Sequence, residues 1–340
     1  MMNNPLVVQT DRGLYCDAGD FYLDPWLPVE RAVVTHPHAD HAHPGCANYL
    51  ISQEGERIFR LRLGEDANIE TLPYQAQKNI NGVSLSLHPA GHILGSSQIR
   101  LEYRGEVWVV SGDYKLQTDP TCSPFEAVRC HTFITEATFA LPIYRWPPAE
   151  SVFNEINDWW RSNQQLRRAS LLLAYSVGKA QRILKGVDSS IGPIFTHGAV
   201  EKVTNEYRAS GVELSPTTPV YEAPKKTDWS ETLIIAPPSA KGTPWTRRFG
   251  NLSTAFASGW MSIRGTRRRQ ALDRGFVISD HADWEELLSV IRSTGAERVW
   301  VTHGYVPVLA RYLREELALD ARELKTSFEG EGGSDSLFES

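Results

Sequence analysis

The chain has 340 residues, a formal net charge of −6, 41% apolar residues and four cysteines. That length suits two domains or one large one, and the apolar share is ordinary for a globular protein with a sizeable core. No apolar run approaches the ~20 residues of a membrane-spanning helix; Met1-Met2-Asn3-Asn4-Pro5 lacks the basic-then-apolar pattern of a signal peptide, and Cys16, Cys46, Cys122 and Cys130 show no metal or redox spacing, so the chain reads as cytoplasmic with reduced thiols.

Residues 1–140 read as strand-rich, punctuated by turn signals at Gly13, Gly19, Gly82, Gly91 and Gly105. The first chemical signal follows the apolar pair Val33-Val34: Thr35-His36-Pro37-His38-Ala39-Asp40-His41-Ala42-His43-Pro44. His36 and His38 are two apart and cannot share a helix face, and the prolines argue for a loop. A curling loop can aim both imidazoles at one point, with Asp40 and His41 aimed at a second. Imidazole with carboxylate suits zinc or a similar first-row metal. The plainer reading is a solvated histidine-rich turn, but short His tracts lean towards metal. Cys46, close by, reads as a small buried residue.

Further ligand types stand at strand ends. Val83, Leu85 and Leu87 alternate with serines as in a strand, followed by Gly91-His92-Ile93-Leu94-Gly95. Val107-Trp108-Val109-Val110 reads as a buried strand ending in Ser111-Gly112-Asp113, and Phe133-Ile134-Thr135 runs into Glu136. Residues 149–168 predict a helix, with Val152, Ile156, Trp159 and Trp160 at helical spacing and Ser151 as candidate N-cap. Strand-like runs at 171–174, 191–195 and 232–236 then alternate with helical stretches at 179–185 and 200–209, which predicts an α/β domain with parallel strands. From Lys241 to Arg274, Lys241, Arg247, Arg248, Arg264, Arg267, Arg268, Arg269 and Arg274 face a single acid, Asp273. Trp245, Phe249, Phe256 and Trp260 are interleaved with them. Such a segment suits phosphate neutralisation and base stacking, although charge runs often do no more than stay solvated. Phe276-Val277-Ile278-Ser279-Asp280-His281 and Arg298-Val299-Trp300-Val301-Thr302-His303 are two more strand-to-His passages. Each alone is ambiguous, because a lone His beside Gly is commonly structural; together with the loop they form a specific set. Ligand types stop at Glu136 and resume at His281, which marks an insertion, with Pro142, Pro147 and Pro148 as the outward linker.

On these motifs the chain resembles the metallo-β-lactamase-fold hydrolases. An acid after the strand-end Asp, a large insertion, then S-x-H and a closing His resemble the β-CASP branch, nucleases acting on the phosphodiester backbone of DNA or RNA. The strings Leu171-Leu172-Leu173-Ala174-Tyr175-Ser176-Val177-Gly178-Lys179-Ala180-Gln181 and Ala257-Ser258-Gly259-Trp260-Met261 resemble that branch's inserted domain. Gly19-Asp20-Phe21-Tyr22-Leu23-Asp24-Pro25-Trp26 and Ser279-Asp280-His281-Ala282-Asp283-Trp284 are similar to a bacterial group of exonucleases associated with an ATP-dependent DNA ligase. The resemblance runs from about residue 10 to about residue 330.

The resemblance implies an α/β protein with an αββα sandwich and an inserted α/β β-CASP domain: residues 1–144 and 264–328 form the first domain, 145–263 the insert, and 329–340 a disordered tail. It implies two divalent metals, zinc or manganese, with His36, His38 and His92 on the first, Asp40, His41 and His303 on the second, and Asp113 bridging. His281 is the candidate general acid, oriented by Glu136, and Asp40 joins them in the reaction. Asp24 would orient a ligating His from behind, with Asp17 and Asp20 as rivals and a plain turn residue before Pro25 as the alternative. Lys241, Arg247, Arg248, Arg264, Arg267, Arg268 and Arg269 would bind nucleic acid. The function implied is a two-metal DNA nuclease, an exonuclease of DNA repair working with a DNA ligase and a helicase. The alternatives are an RNA-processing nuclease, since His303 is typical of such members, and a small-molecule hydrolase, which would not need the insertion.

Overall fold

The computed structural model describes residues 5–263, 265 and 272–325. Arg264, Arg267, Arg268, Arg269 and the expected tail at 329–340 lie outside the described residues. The described residues divide into two compact units, one formed by 5–145 and 281–325, the other by those within 146–280.

The first unit opens with β1 (Val8–Thr10), β2 (Gly13–Cys16), β3 (Phe21–Leu23), β4 (Arg31–Val33), β5 (Asn48–Ser52), helix α1 (Glu56–Leu63) and β6 (Ile69–Leu72). These strands form one sheet in chain order, antiparallel as far as β3 and parallel from there on. An antiparallel meander follows: β7 (Gln77–Ile80), β8 (Val83–Pro89), β9 (Ser97–Tyr103) and β10 (Glu106–Val110), with β11 (Thr132–Ala137) parallel to β10.

The second unit begins with α2 (Ala149–Gln165). Its buried face carries Val152, Ile156, Trp159 and Trp160, as the periodicity predicts. Its N-cap is Pro148 rather than Ser151. The helix starts early enough that Ser151 falls inside the first turn, where its hydroxyl donates back to the Pro148 carbonyl at 2.7 Å. Then come β12 (Ala169–Leu173), α3 (Lys179–Gly186), β13 (Ile194–Thr196), α4 (Gly198–Ala209), β14 (Thr218–Pro219), β15 (Leu233–Ala236), β16 (Leu252–Ala257) and β17 (Arg274–Phe276). They make one parallel sheet in the order β14-β13-β15-β12-β16-β17. Apolar clusters cover both faces, one with Trp160, Ile183 and Val200 and the other with Phe249, Phe256 and Met261. That explains why every residue of β12 and β15 is buried and all but Ser170 are apolar. The return to the first domain, expected near 264, comes later. Arg274 and Phe276 pair with Ala255 and Ala257 of β16, and the Phe276 ring packs 5.6 Å from Trp159.

Back in the first unit, α5 (Trp284–Thr294), β18 (Arg298–Gly304), α6 (Val306–Glu315) and β19 (Asp320–Glu323) complete the second sheet in the order β19-β18-β11-β10-β9-β8-β7. Helix α5 is set by a capping box, Asp283 accepting the Glu286 N–H at 3.0 Å, and stops at left-handed Gly295. One core cluster joins Leu23, Val33 and Leu50 of the first sheet to Leu85, Ile99, Trp108, Ile134 and Trp300 of the second. Phe59 of α1 packs with Val34 and Ile51, while Leu287 of α5 and Leu309 of α6 pack with Val109, Phe133 and Val299. Among the described residues no helix is long and apolar enough to cross a membrane.

Candidate metal centre

The histidine loop leaves the end of β4. It curls because the His41 and Ala42 N–H groups both donate to the His38 carbonyl, at 3.2 and 2.8 Å. It is tied to the second sheet by the Ser97 N–H, which donates to the Thr35 carbonyl at 2.8 Å. The curl brings His36 and His38 to a ring-centroid separation of 4.9 Å, and His92, following β8, sits 4.8 Å from each. One donor atom from each of His36, His38, His92 and Asp113 lies within 4.8 Å of the other three. His36, Asp40 and His41 form a second such group.

Asp113 stands between the groups. Its Oδ2 is 3.4 Å from His36 Nε2 and 3.7 Å from His92 Nε2, while Oδ1 is 3.8 Å from His41 Nε2. Asp113 follows β10 through Gly112, where a Cβ would lie 2.6 Å from the Thr35 hydroxyl and φ is +56°. His303 stacks on His41 at 5.1 Å. It is the extra residue of a bulge: β11 and β18 pair Glu136 with Thr302 and then Ala137 with Gly304, so the bulge re-aims His303. The Nε2 atoms of His36, His41 and His303 are buried with no hydrogen-bond partner.

The other ring nitrogens are held. Asp24 follows β3, and its carboxylate accepts the Thr35 N–H at 2.8 Å and the Thr35 hydroxyl at 2.6 Å. It also lies 2.7 Å from His41 Nδ1. A carboxylate only accepts, so neutral His41 carries its proton on Nδ1 and leaves an Nε2 lone pair. The Thr35 proton goes to Asp24, so Thr35 Oγ, 3.1 Å from His36 Nδ1, accepts there and leaves a lone pair on His36 Nε2 as well. Sequence reading overlooked Thr35; its signal is the Thr-His pair, which recurs in Thr302-His303. The rivals of Asp24 lie elsewhere: Asp20 accepts from the Tyr15 hydroxyl at 3.0 Å and pairs with Arg31 at 3.3 Å. Cys46 is a buried core residue of the α1 layer.

Electrostatics match a cation site. Burial raises the Asp40 carboxyl, but His41 and the other imidazoles outweigh it and hold it at about 2. Burial lowers His41, but Asp40, Asp113 and Asp24 push it up to about 10. Burial, helped by neighbouring imidazoles, lowers His92 and His303. Asp113 is held well below the carboxylate range despite its burial, chiefly by His281 and His41.

His281 stands beside the first group, its ring 4.8 Å from His92. Its Nδ1 is 2.9 Å from Oε2 of fully buried Glu136 and 3.9 Å from Asp113 Oδ2. The second Glu136 oxygen accepts the Tyr114 N–H at 2.8 Å. The described part of the predicted basic segment lies in the second unit. Lys241, Arg247 and Arg248 are exposed there, the two arginines on a 3-10 turn at Pro244–Phe249. Of the interleaved aromatics, Phe249 and Phe256 are buried in the core rather than available for stacking; Trp245 and Trp260 are half-buried. Arg274 is paired with Glu155 at 3.1 Å.

No family model matches the chain. A probable DNA ligase of Opitutus terrae is 30% identical over 314 residues, 92% of this chain and 30% of the relative. An RNase J-like protein of Methanocaldococcus jannaschii is 24% identical over 59% of this chain and 55% of its own length. Endoribonuclease YSH1 of Saccharomyces cerevisiae is 25% identical over 35% of this chain and 15% of its own length. The chain thus spans about half the length of these relatives or less. A crystal structure of a protein of unknown function from Enterococcus faecalis V583 superposes with a TM-score of 0.59 at 14% identity, covering 87% of this chain and 79% of that one, a likeness of fold alone.

Proposed function

From a chain that belongs to the β-CASP branch of the metallo-β-lactamase-fold nucleases, we propose a two-metal phosphodiesterase that degrades DNA from its ends. In this reading the two sheets of the first unit and their helices form the αββα sandwich. His36, His38 and His92 hold one divalent ion, Asp40, His41 and His303 the other, and Asp113 serves both. The donor set fits: buried Nε2 atoms of His36, His41 and His303 lack partners and stand among ionised carboxylates. Zinc or manganese, once bound, supplies Lewis acidity towards a phosphodiester and an attacking water.

The side chains do the rest. Asp24 and Thr35 orient His41 and His36. Protonated His281 gives its Nε2 proton to the leaving sugar oxygen, while its Nδ1–H stays on Glu136, which favours the imidazolium and fixes the ring plane. The Tyr114 N–H keeps the Glu136 carboxylate from turning away. Lys241, Arg247, Arg248 and the arginines at 264 and 267–269 neutralise backbone phosphates. The single observation that carries the reading is Asp113, whose two oxygens address two histidine groups 3.4 and 3.8 Å away.

In this reading the substrate is DNA, in cytoplasmic repair alongside a ligase and a helicase; the likeness to a probable DNA ligase over 92% of this chain favours DNA. His303 and the RNase J-like relative favour a second reading, an RNA-processing nuclease. Metal-loaded protein incubated with end-labelled single- and double-stranded DNA and RNA decides between them. Mononucleotides released from DNA ends support the first reading, cleavage of RNA alone supports the second, and no cleavage of either returns the fold to small-molecule hydrolysis.

A further inference from the structure

The second unit ends, just before His281, in a charged cluster that the proposed reaction does not use. Asp280 is 2% exposed, and Lys179 and Arg182 of α3 are 4% and 2% exposed. Lys179 Nζ is 3.3 Å from Asp280 Oδ2 and lies 4.5 Å over the Tyr175 ring. Arg182 donates to the Ser279 carbonyl. Residues three apart share a helix face, so α3 presents two cations to two consecutive residues. The start of α3 is itself fixed, because the Gln181 side chain accepts the Gly178 N–H at 2.9 Å and donates to the Ser176 carbonyl at 3.0 Å.

Stability alone is a poor reason for this cluster. A buried ion pair loses solvation, and apolar residues of similar volume commonly hold two elements as well or better. What a charged, hydrogen-bonded clamp adds is one permitted geometry. The residue that follows the clamp is His281. On its other side the Ala282 N–H donates to the Tyr114 carbonyl at 2.7 Å, and Tyr114 in turn holds Glu136.

We propose that Lys179 and Arg182 are positioning residues: by clamping Ser279 and Asp280 they aim the His281 imidazole for proton transfer. The proposal rests on the acid role given to His281 above. Its test is the double variant Lys179→Met/Asp280→Asn, which removes both charges together, and the milder Arg182→Lys in case the first does not fold. Misplacing a reacting group by about 1 Å can cost up to about 100-fold. Metal-loaded variants should lose about 10- to 100-fold on a DNA oligonucleotide while metal content and turnover of bis(4-nitrophenyl) phosphate, whose leaving group needs no proton, change less than twofold. Combined with His281→Ala, they should add no further loss on DNA. In the NMR spectrum of histidine-labelled protein, the His281 Nδ1–H resonance should shift or broaden. Equal losses on both substrates, or losses that multiply with that of His281→Ala, would make the cluster merely structural. The two readings separate cleanly. If His281→Ala shows no leaving-group dependence, the acid role falls, and an unmoved Nδ1–H resonance overturns the clamp in either case.

Discussion

The Asp24 carboxylate lies 2.7 Å from His41 Nδ1 and also takes the hydroxyl proton of Thr35, the neighbour of His36. One acid therefore sets the tautomer of a histidine in each group. Partners of this kind typically contribute about 10- to 100-fold to metal affinity. Asp24→Asn should weaken metal binding by that factor, and Thr35→Val by less, since of the two rings its hydroxyl touches only that of His36. Competition with a chelator of known affinity measures both. Unaltered affinity in Asp24→Asn would leave Asp24 as a turn residue before Pro25.

Elemental analysis of purified protein should find about two divalent ions per chain, zinc or manganese. One ion or none, with no activity restored by added metal, contradicts the assignment of seven ligands.

Metal uptake should release protons. The carboxylates push His41 up to about 10, so at neutral pH the metal-free site holds a proton on this ring that binding must expel. The sign follows from the direction of the shift: affinity rises with pH until the proton leaves on its own, near pH 10, and falls on acidification. Calorimetry in two buffers of different ionisation enthalpy reads the proton count, and buffer-independent heats would show that His41 is already neutral.

His281→Ala should keep both metals yet lose about 10²–10⁴-fold on DNA, the usual contribution of a general acid. The defect should shrink on a nitrophenyl diester. Glu136→Gln should behave similarly but more mildly, whereas Asp113→Ala should lose metal. Loss of metal in His281→Ala would make it a ligand, which its 3.9 Å distance to Asp113 would also allow.

Replacing Lys241, Arg247 and Arg248 with Ala should weaken oligonucleotide binding and reduce the slope of log affinity against log salt by about one for each phosphate that is no longer neutralised. The nitrophenyl diester should turn over normally. An unchanged slope would return these residues to a solvated face.

The local chemistry of the centre was legible in the chain. His36, His38, Asp40 and His41 crowd into six residues, with Pro37 inside the run and Pro44 after it, and so short a loop keeps them close together. Asp113 and His303 were legible as strand-end residues because apolar runs lead into them and glycines follow or precede them where a Cβ would collide: at Gly304 it would lie 2.4 Å from the Ala137 carbonyl. The helix at 149–168 was legible from its period, but not its cap. The aromatic residues between the arginines were misleading, because alternation with charge does not tell a stacking ring from a core ring such as Phe249 or Phe256.

Asp24 was one of three candidate acids in the sequence. Strand register chose it: Leu23 pairs with Val33, which carries Asp24 alongside Thr35 and leaves Asp17 and Asp20 behind. Likewise nothing local joins Glu136 to His281, 145 residues on, or Lys179 to Asp280. The order of residues was enough to single out candidate donors and a candidate acid, because donor chemistry and turn preference are properties of short segments. Which atoms meet was settled by packing. Pairing of β11 with β18, the bulge at His303 and the contacts of α3 with Ser279 and Asp280 join segments far apart in the chain, and a single residue's slip in a strand pairing would turn its side chains to the opposite face.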